Sequence, residues 1–130
     1  MIPSTWLPHR RASDGEHVGY LVPHAPGVFV PVTLIGTVLG APGPLPQASA
    51  LLDAHGLAAL AGRWWCVLPD VLTQNLTDLS QPDPSWSPRP VRIVEVGTTG
   101  CSVRLEFPGP DERAVRVRVR LPATDHLRAG

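Results

Sequence analysis

Lysine is missing from this chain of 130 residues, and all eleven basic side chains are arginine. Asparagine occurs once, at Asn75, methionine and tyrosine once each, and aromatic residues make up only 5% of the chain. Pro, Ala, Gly, Val, Leu and Arg are used heavily instead, which is the mark of a GC-rich coding bias. An arginine here therefore stands where lysine serves elsewhere, and guanidinium-specific arguments lose weight. Neither sign of charge is in excess, since formal net charge is zero. A dedicated nucleic-acid binder carries a basic surplus to displace counterions from phosphates, so neutrality argues against that class. Only two cysteines are present, Cys66 and Cys101, at a separation that fits no metal-ligand or redox motif. Inside strand-like runs they read as reduced core thiols; a bridge requires adjacent strands and an oxidising compartment. No apolar run reaches the ~20 residues needed to span a bilayer. The nearest, Val28 to Gly40, is broken by Pro31 and Gly36. Trp6, Pro8, Arg10 and Arg11 stand where the apolar part of a signal peptide would run. The expected location is cytoplasmic, with no membrane partner.

What is present begins with an uncharged stretch, Tyr20 to Leu52, in which His24 is the only histidine. The length is that of one ordinary domain with a real core. Residues 1–14 read as an irregular lead-in ending in an Asp14-Gly15 turn. Glu16 to Val22 alternates as a first strand, and Val28 to Leu34, rich in Val and Phe, as a second. The Pro26-Gly27 loop between them predicts an antiparallel hairpin. Pro31 makes the second strand an edge or a bulge, and Gly36 marks a kink. After a Pro/Gly connector, a helix is expected from about Pro46 to His55, with Ala48, Leu51, Leu52 and His55 on one face. Gly56 suits a left-handed helix end, and a second helical turn runs from Leu57 to Ala61.

Arg63 to Leu68 reads as a third strand, with Trp64, Cys66 and Leu68 on one face and Arg63, Trp65 and Val67 on the other. Residues 73–90 form a long Pro-rich loop that Trp86 would pin down. A meander follows: Val91 to Val96, Cys101 to Glu106 and Ala114 to Leu121. In the last strand Val115, Val117, Val119 and Leu121 face inward while Arg116, Arg118 and Arg120 face out. Residues 122–130 are expected to fray. The fold class predicted is α+β over 15–121: about six mostly antiparallel strands, in a curled sheet or small open β-barrel, with one short helix after strand two.

Gly15-Glu16-His17-Val18-Gly19-Tyr20-Leu21, then Phe29-Val30-Pro31-Val32, and Gly56-Leu57 through Arg63-Trp64, together resemble a family of short, uncharacterised proteins of high-GC Gram-positive bacteria. The likeness covers the first half of the chain. It implies a bacterial, cytoplasmic, single-domain protein and carries no activity.

Candidate sites are few. Alternate residues on a strand are roughly 6.6–6.8 Å apart, close to the spacing of phosphates along a nucleic-acid strand, so Arg116, Arg118 and Arg120, with Arg104, form a candidate anion-binding row. The simpler reading is a solvated strand face paired with Glu95 and Glu106 across the ladder. Trp64 and Trp65 point to opposite faces, so one of them needs cover from a loop, the helix or a partner. With Arg63 nearby, and with Trp86, they have the composition of an interface anchor. His17 and Glu16 diverge, so no metal is expected around Asp14, Glu16, His17 and His24. No nucleophile elbow, phosphate loop or shielded carboxylate pair is recognisable, and no cofactor is implied. The function expected first is a non-catalytic protein-interaction or structural module, self-associating or bound to another protein. The alternative is a nucleic-acid or anionic-ligand binder using the arginine face. The third is a small enzyme or ligand carrier with a pocket around Tyr20.

Overall fold

Nine strands in two antiparallel sheets, with one α-helix, stand where the sequence predicts about six strands in one curled sheet or barrel. The computed structural model describes residues 1–130. The chain divides into two compact units, Met1–Ala61 and Gly62–Gly130, a division that falls within the 15–121 span read as one domain.

In the N-terminal unit the sheet runs in the order β1 (Leu7–Arg10), β2 (His17–Ala25), β3 (Val28–Val32) and β4 (Gly43–Pro44). The expected hairpin is β2–β3, closed at Gly27 with a positive φ of 72°. The expected lead-in contains β1, which pairs with β2 from Leu7↔Leu21 to Arg10↔His17. A bulge opposite His9 and Arg10 leaves Val18 as an extra residue on β2, turned into the core beside Leu21.

Pro31 is compatible with a ladder because its missing N–H points away from β2. A strand residue's N–H and C=O lie on one side, and the Pro31 carbonyl accepts from Leu39 N at 2.9 Å. Gly36, at φ 94°, does more than kink the strand. Residues 33–37 form a turn held by Thr33 N to Thr37 O, and the chain doubles back so that Val38 bridges to Val32. The edge expected at Pro31 is therefore paired by the returning chain.

The helix α1 spans Leu45–His55, one residue longer at its start than predicted, and Ala48 and Leu52 are the buried part of its face. Leu51 is half-buried and His55 exposed. Gly56 is required, but for a different reason than expected. Its φ is −56°, ordinary right-handed backbone, and a Cβ there would sit 2.4 Å from the Val18 carbonyl oxygen. Gly19 is the matching position on β2, where a Cβ would lie 2.4 Å from Val32 O and 2.7 Å from a Leu52 methyl. The two glycines let helix and sheet close over Val18, Leu21, Ala48 and Leu52.

In the C-terminal unit the sheet order is β8-β7-β6-β5-β9, and its sheet does not close into a barrel. Its strands are β5 (Trp64–Leu68), β6 (Ser87–Val96), β7 (Gly100–Leu105), β8 (Val117–Arg120) and β9 (Arg128–Ala129). The alternation read from the sequence sets the faces. Trp64, Cys66, Leu68, Val91, Cys101, Val103, Leu105, Val117 and Val119 are buried. A bulge at Val94 shifts the register between Ile93↔Val103 and Glu95↔Ser102, which turns Glu95 outward. The tail predicted to fray is structured. Ala123 and Leu127 are buried, and β9 satisfies the free edge of β5 through Trp64↔Ala129 and Trp65↔Arg128.

The Pro-rich loop is tied down chiefly by Leu72 and Leu79, both buried, and by a bridge of Leu76 to Val117; Trp86 is only half-buried. Arg89 and Glu112 fix the rest. The carboxylate accepts both guanidinium nitrogens of Arg89 at 2.8 and 3.0 Å, Leu72 N at 2.7 Å and Gly109 N at 3.0 Å. The bidentate pairing with Arg89, reinforced by those amides, holds the Glu112 pKa down to about 2. No helix is long and apolar enough to cross a membrane.

Candidate functional site

The outer face of the C-terminal sheet is where the candidate residues come together. Because the inward positions are fixed by burial, Trp65 and Val67 on β5, Pro90 and Arg92 on β6, Ser102 and Arg104 on β7, and Arg118 and Arg120 on β8 all point the other way. The C-terminal unit contains no α-helix of its own. Trp64 belongs to the opposite face, buried with Cys66 and Leu68, so it is a core residue and leaves the candidate surface. Trp86 lies just before β6, with its amide bonded to Asp83 O.

One half of the face is apolar and aromatic. Trp65 is half-buried, Val67 is 45% exposed, and Phe107, just past β7, is 66% exposed. Arg63 lies between the two rings, its guanidinium carbon 5.9 Å from the Trp65 centroid and 5.5 Å from that of Phe107. Arg63 and Arg92 both bind Glu106, one to each carboxylate oxygen, and these bonds lower its pKa.

The other half is basic. The sequence pairs the arginine row with Glu95 and Glu106, and the structure corrects this. Glu106 is committed to Arg63 and Arg92, and the strand partners of Arg118 and Arg120 are Ser102 and Gly100. None of Arg104, Arg116, Arg118 and Arg120 has a carboxylate within ion-pair distance. Arg104 stands directly opposite Arg92, a like-charge pairing that disfavours the sheet. Gly100 makes room for Arg118, since a Cβ there would meet its guanidinium carbon at 3.1 Å. The Arg118 Nη2 reaches Thr99 Oγ1 at 3.4 Å.

His126 joins the two halves. It lines an open depression of about 320 Å³ with Trp65, Val67, Pro88, Asp125 and Arg128. It also lines a smaller one of about 110 Å³ with Thr77, Asp78, Ser80, Arg118 and Arg120. A third, of about 240 Å³, shares His126, Asp125 and Val67 and is floored by Leu79. Phe107 and His126 were missed in the sequence. Phe107 follows the end of a strand whose alternation gives no reason to expose it, and His126 lies in the tail expected to fray. Val67 was legible, sharing the alternation of Arg63 and Trp65.

Elsewhere the titratable groups serve the fold. His9 Nε2 lies 2.8 Å from Asp53 Oδ1, joining β1 to α1. His17 Nε2 bonds the Gly19 carbonyl, and its ring packs edge-on to Tyr20 at 5.0 Å. Asp14 binds Arg11 and the Glu16 amide, which draw its pKa down to about 2. Cys66 and Cys101 are free and buried, on strands separated by β6. Burial pushes their pKa values up to about 12 and about 11. No family model matches the chain, and neither does any curated protein or solved structure.

Proposed function

We propose that the chain is a non-catalytic interaction module, and that the outer face of its C-terminal sheet binds an acidic, partly apolar segment of another protein. The observation that carries this reading is the coexistence on one sheet face of arginines with no carboxylate within ion-pair distance and an aromatic anchor. Arg104, Arg118 and Arg120 lie across the strands from Trp65, Val67 and Phe107. Aromatic side chains and arginine are the residue types that dominate binding energy at protein interfaces. Arginines outnumbering the carboxylates around them favour an occupant of opposite charge. Buried, protonated thiols and histidines engaged in bonds to Asp53 and Gly19 support a non-catalytic role.

The test uses fluorescent degenerate octapeptides built from Asp, Glu, Leu and Phe, set against a library with Lys and Arg replacing the acids, and against an eight-residue oligothymidylate. Salt-dependent binding of the acidic library is expected, lost in a combined Arg104→Gln, Arg118→Gln, Arg120→Gln variant. Equal binding of acidic and basic libraries, or of neither, overturns the reading. Binding of the oligothymidylate alone replaces the peptide by single-stranded nucleic acid, with bases stacked on Phe107 and Trp65. A concentration-dependent dimer whose formation is blocked by Trp65→Ala makes the occupant a second copy of the chain.

A further inference from the structure

We infer that the depression bounded by Arg118, Arg120 and His126 seats the phosphate of a phosphorylated serine or threonine carried by that acidic segment. The inference rests on the interaction reading above and narrows its ligand.

Three features select a phosphate. First, the hydrogen-bond donors converge. Arg118, Arg120, His126 and Thr77 line one depression together with Ser80, whose hydroxyl proton is already given to Asp78. Two cationic side chains beside neutral donors complement both the charge and the acceptor oxygens of a phosphate. Second, the size fits: a depression of about 110 Å³ is wide enough to take a phosphoryl group. Third, the seat is positioned from beneath. Gly100 lets the Arg118 side chain settle onto β7, Thr99 Oγ1 lies 3.4 Å from its Nη2, and the Leu76 bridge to β8 fixes the neighbouring loop.

Asp78 is the one acidic group in the depression. Its Oδ1 already accepts the Ser80 amide at 2.8 Å and the Ser80 hydroxyl at 2.5 Å. It orders the loop while offsetting one of the two positive charges of the arginines. This gives the proposal a signature of opposite signs: removing either arginine weakens the ligand, and neutralising Asp78 tightens it. The adjoining depression at Trp65 and Val67, which shares His126, takes an apolar side chain close to the phosphorylated residue.

The experiment titrates the full chain with octapeptide sets that differ at a fixed centre: phosphoserine, one glutamate, or two adjacent glutamates that match the phosphate's charge. N-acetyl-phosphoserine amide and inorganic phosphate are run as separate probes, with amide shifts followed by NMR. The phosphoserine set is expected to bind about tenfold more tightly than the charge-matched set. Amide shifts should centre on Thr77, Ser80, Arg118 and Arg120. A combined Arg118→Gln, Arg120→Gln variant brings the phosphoserine set down to the glutamate level, and Asp78→Asn raises its affinity about threefold.

Equal affinity for the phosphoserine and two-glutamate sets overturns the phosphate seat while leaving the acidic-segment reading intact. Inorganic phosphate that binds as tightly as the phosphoserine set makes the ligand a free anion and also overturns it. If no peptide set binds at all, both readings fall. A weakening on Asp78→Asn identifies the loop, and not the arginines, as the binding element.

Discussion

The two units solve the same problem, covering an antiparallel sheet, by different means. In the N-terminal unit only Arg10, Arg11, Asp14, Glu16 and Asp53 are charged. The sheet there is closed by α1, through apolar contact made possible where Gly19 and Gly56 admit a close approach. The C-terminal unit has no α-helix. Its inner face is covered by loops, and those loops are anchored by a charged group, Glu112, bonded to Arg89, Leu72 and Gly109. The difference teaches where function is free to sit. The loops cover the inner face of the C-terminal sheet, while the outer side carries the exposed Val67 and Phe107.

If the N-terminal unit depends on close packing, its most sensitive positions are those two glycines and the leucine beneath them. Leu52→Ala is expected to cost about 3–4 kcal/mol. Gly19→Ala is expected to cost at least as much, because its Cβ would press the backbone of β3 at Val32. Amide exchange should show protection lost over β2, β3 and α1. Full protection in Gly19→Ala would show that the sheet shifts to accept a side chain, and the packing account would fail.

The C-terminal unit should break at its charged anchor. Arg89→Ala leaves the Glu112 carboxylate without its cation, at an expected cost of about 3 kcal/mol. The double substitution of Arg89 and Glu112 by Met and Leu should recover part of that loss, since breaking one partner costs more than replacing both. Chemical denaturation of the wild type, Arg89→Met, Glu112→Leu and the double variant measures the coupling. A coupling below about 0.5 kcal/mol would reduce the pair to ornament and erase the contrast between the units.

Acid should probe the charged anchor directly. The folded-state pKa of Glu112 lies at about 2 against an ordinary value of 4.5. A depressed pKa means that its contribution is complete above 4.5 and is lost as pH falls from there toward 2. The wild-type C-terminal unit should therefore lose stability across that window. Glu112→Gln should be less stable at neutral pH and show a shallower loss in acid. Parallel acid profiles for the two proteins would disprove the anchor's role.

Much of this contrast is legible in the sequence. The faces of β5, β7 and β8 follow from alternation, and α1 from its Ala and Leu spacing together with the prolines that precede it. The uncharged run from Tyr20 to Leu52 marks the unit in which apolar contact dominates. Three things are not legible, each for a physical reason. Gly56 looks like a left-handed helix end, because local pattern does not reveal that the Val18 carbonyl approaches it. Arg89, between two prolines, reads as loop, because prolines conceal that β6 begins at Ser87. Glu106 reads as the partner of the arginine row, because pairing across a ladder depends on register. Arg63 and Arg92 reach the carboxylate first, and the row is left open.

The smallest effect carries the sharpest version of the comparison. If the outer arginines do not hold the fold together, replacing one should hardly change stability, in contrast with Arg89. Arg104 is the most telling choice, since it stands opposite Arg92 and has no ion-pair partner. Arg104→Gln removes a like-charge contact, so stability should rise by about 0.3 kcal/mol at low salt, and the gain should shrink as salt screens it. Two arginines of one sheet would then behave oppositely, Arg89 on the inner face being structural and Arg104 on the outer face a charge kept against a slight cost to the fold. A loss of more than about 1 kcal/mol on Arg104→Gln would place the outer row among the structural residues. The open face would then have no arginines to spare for a partner.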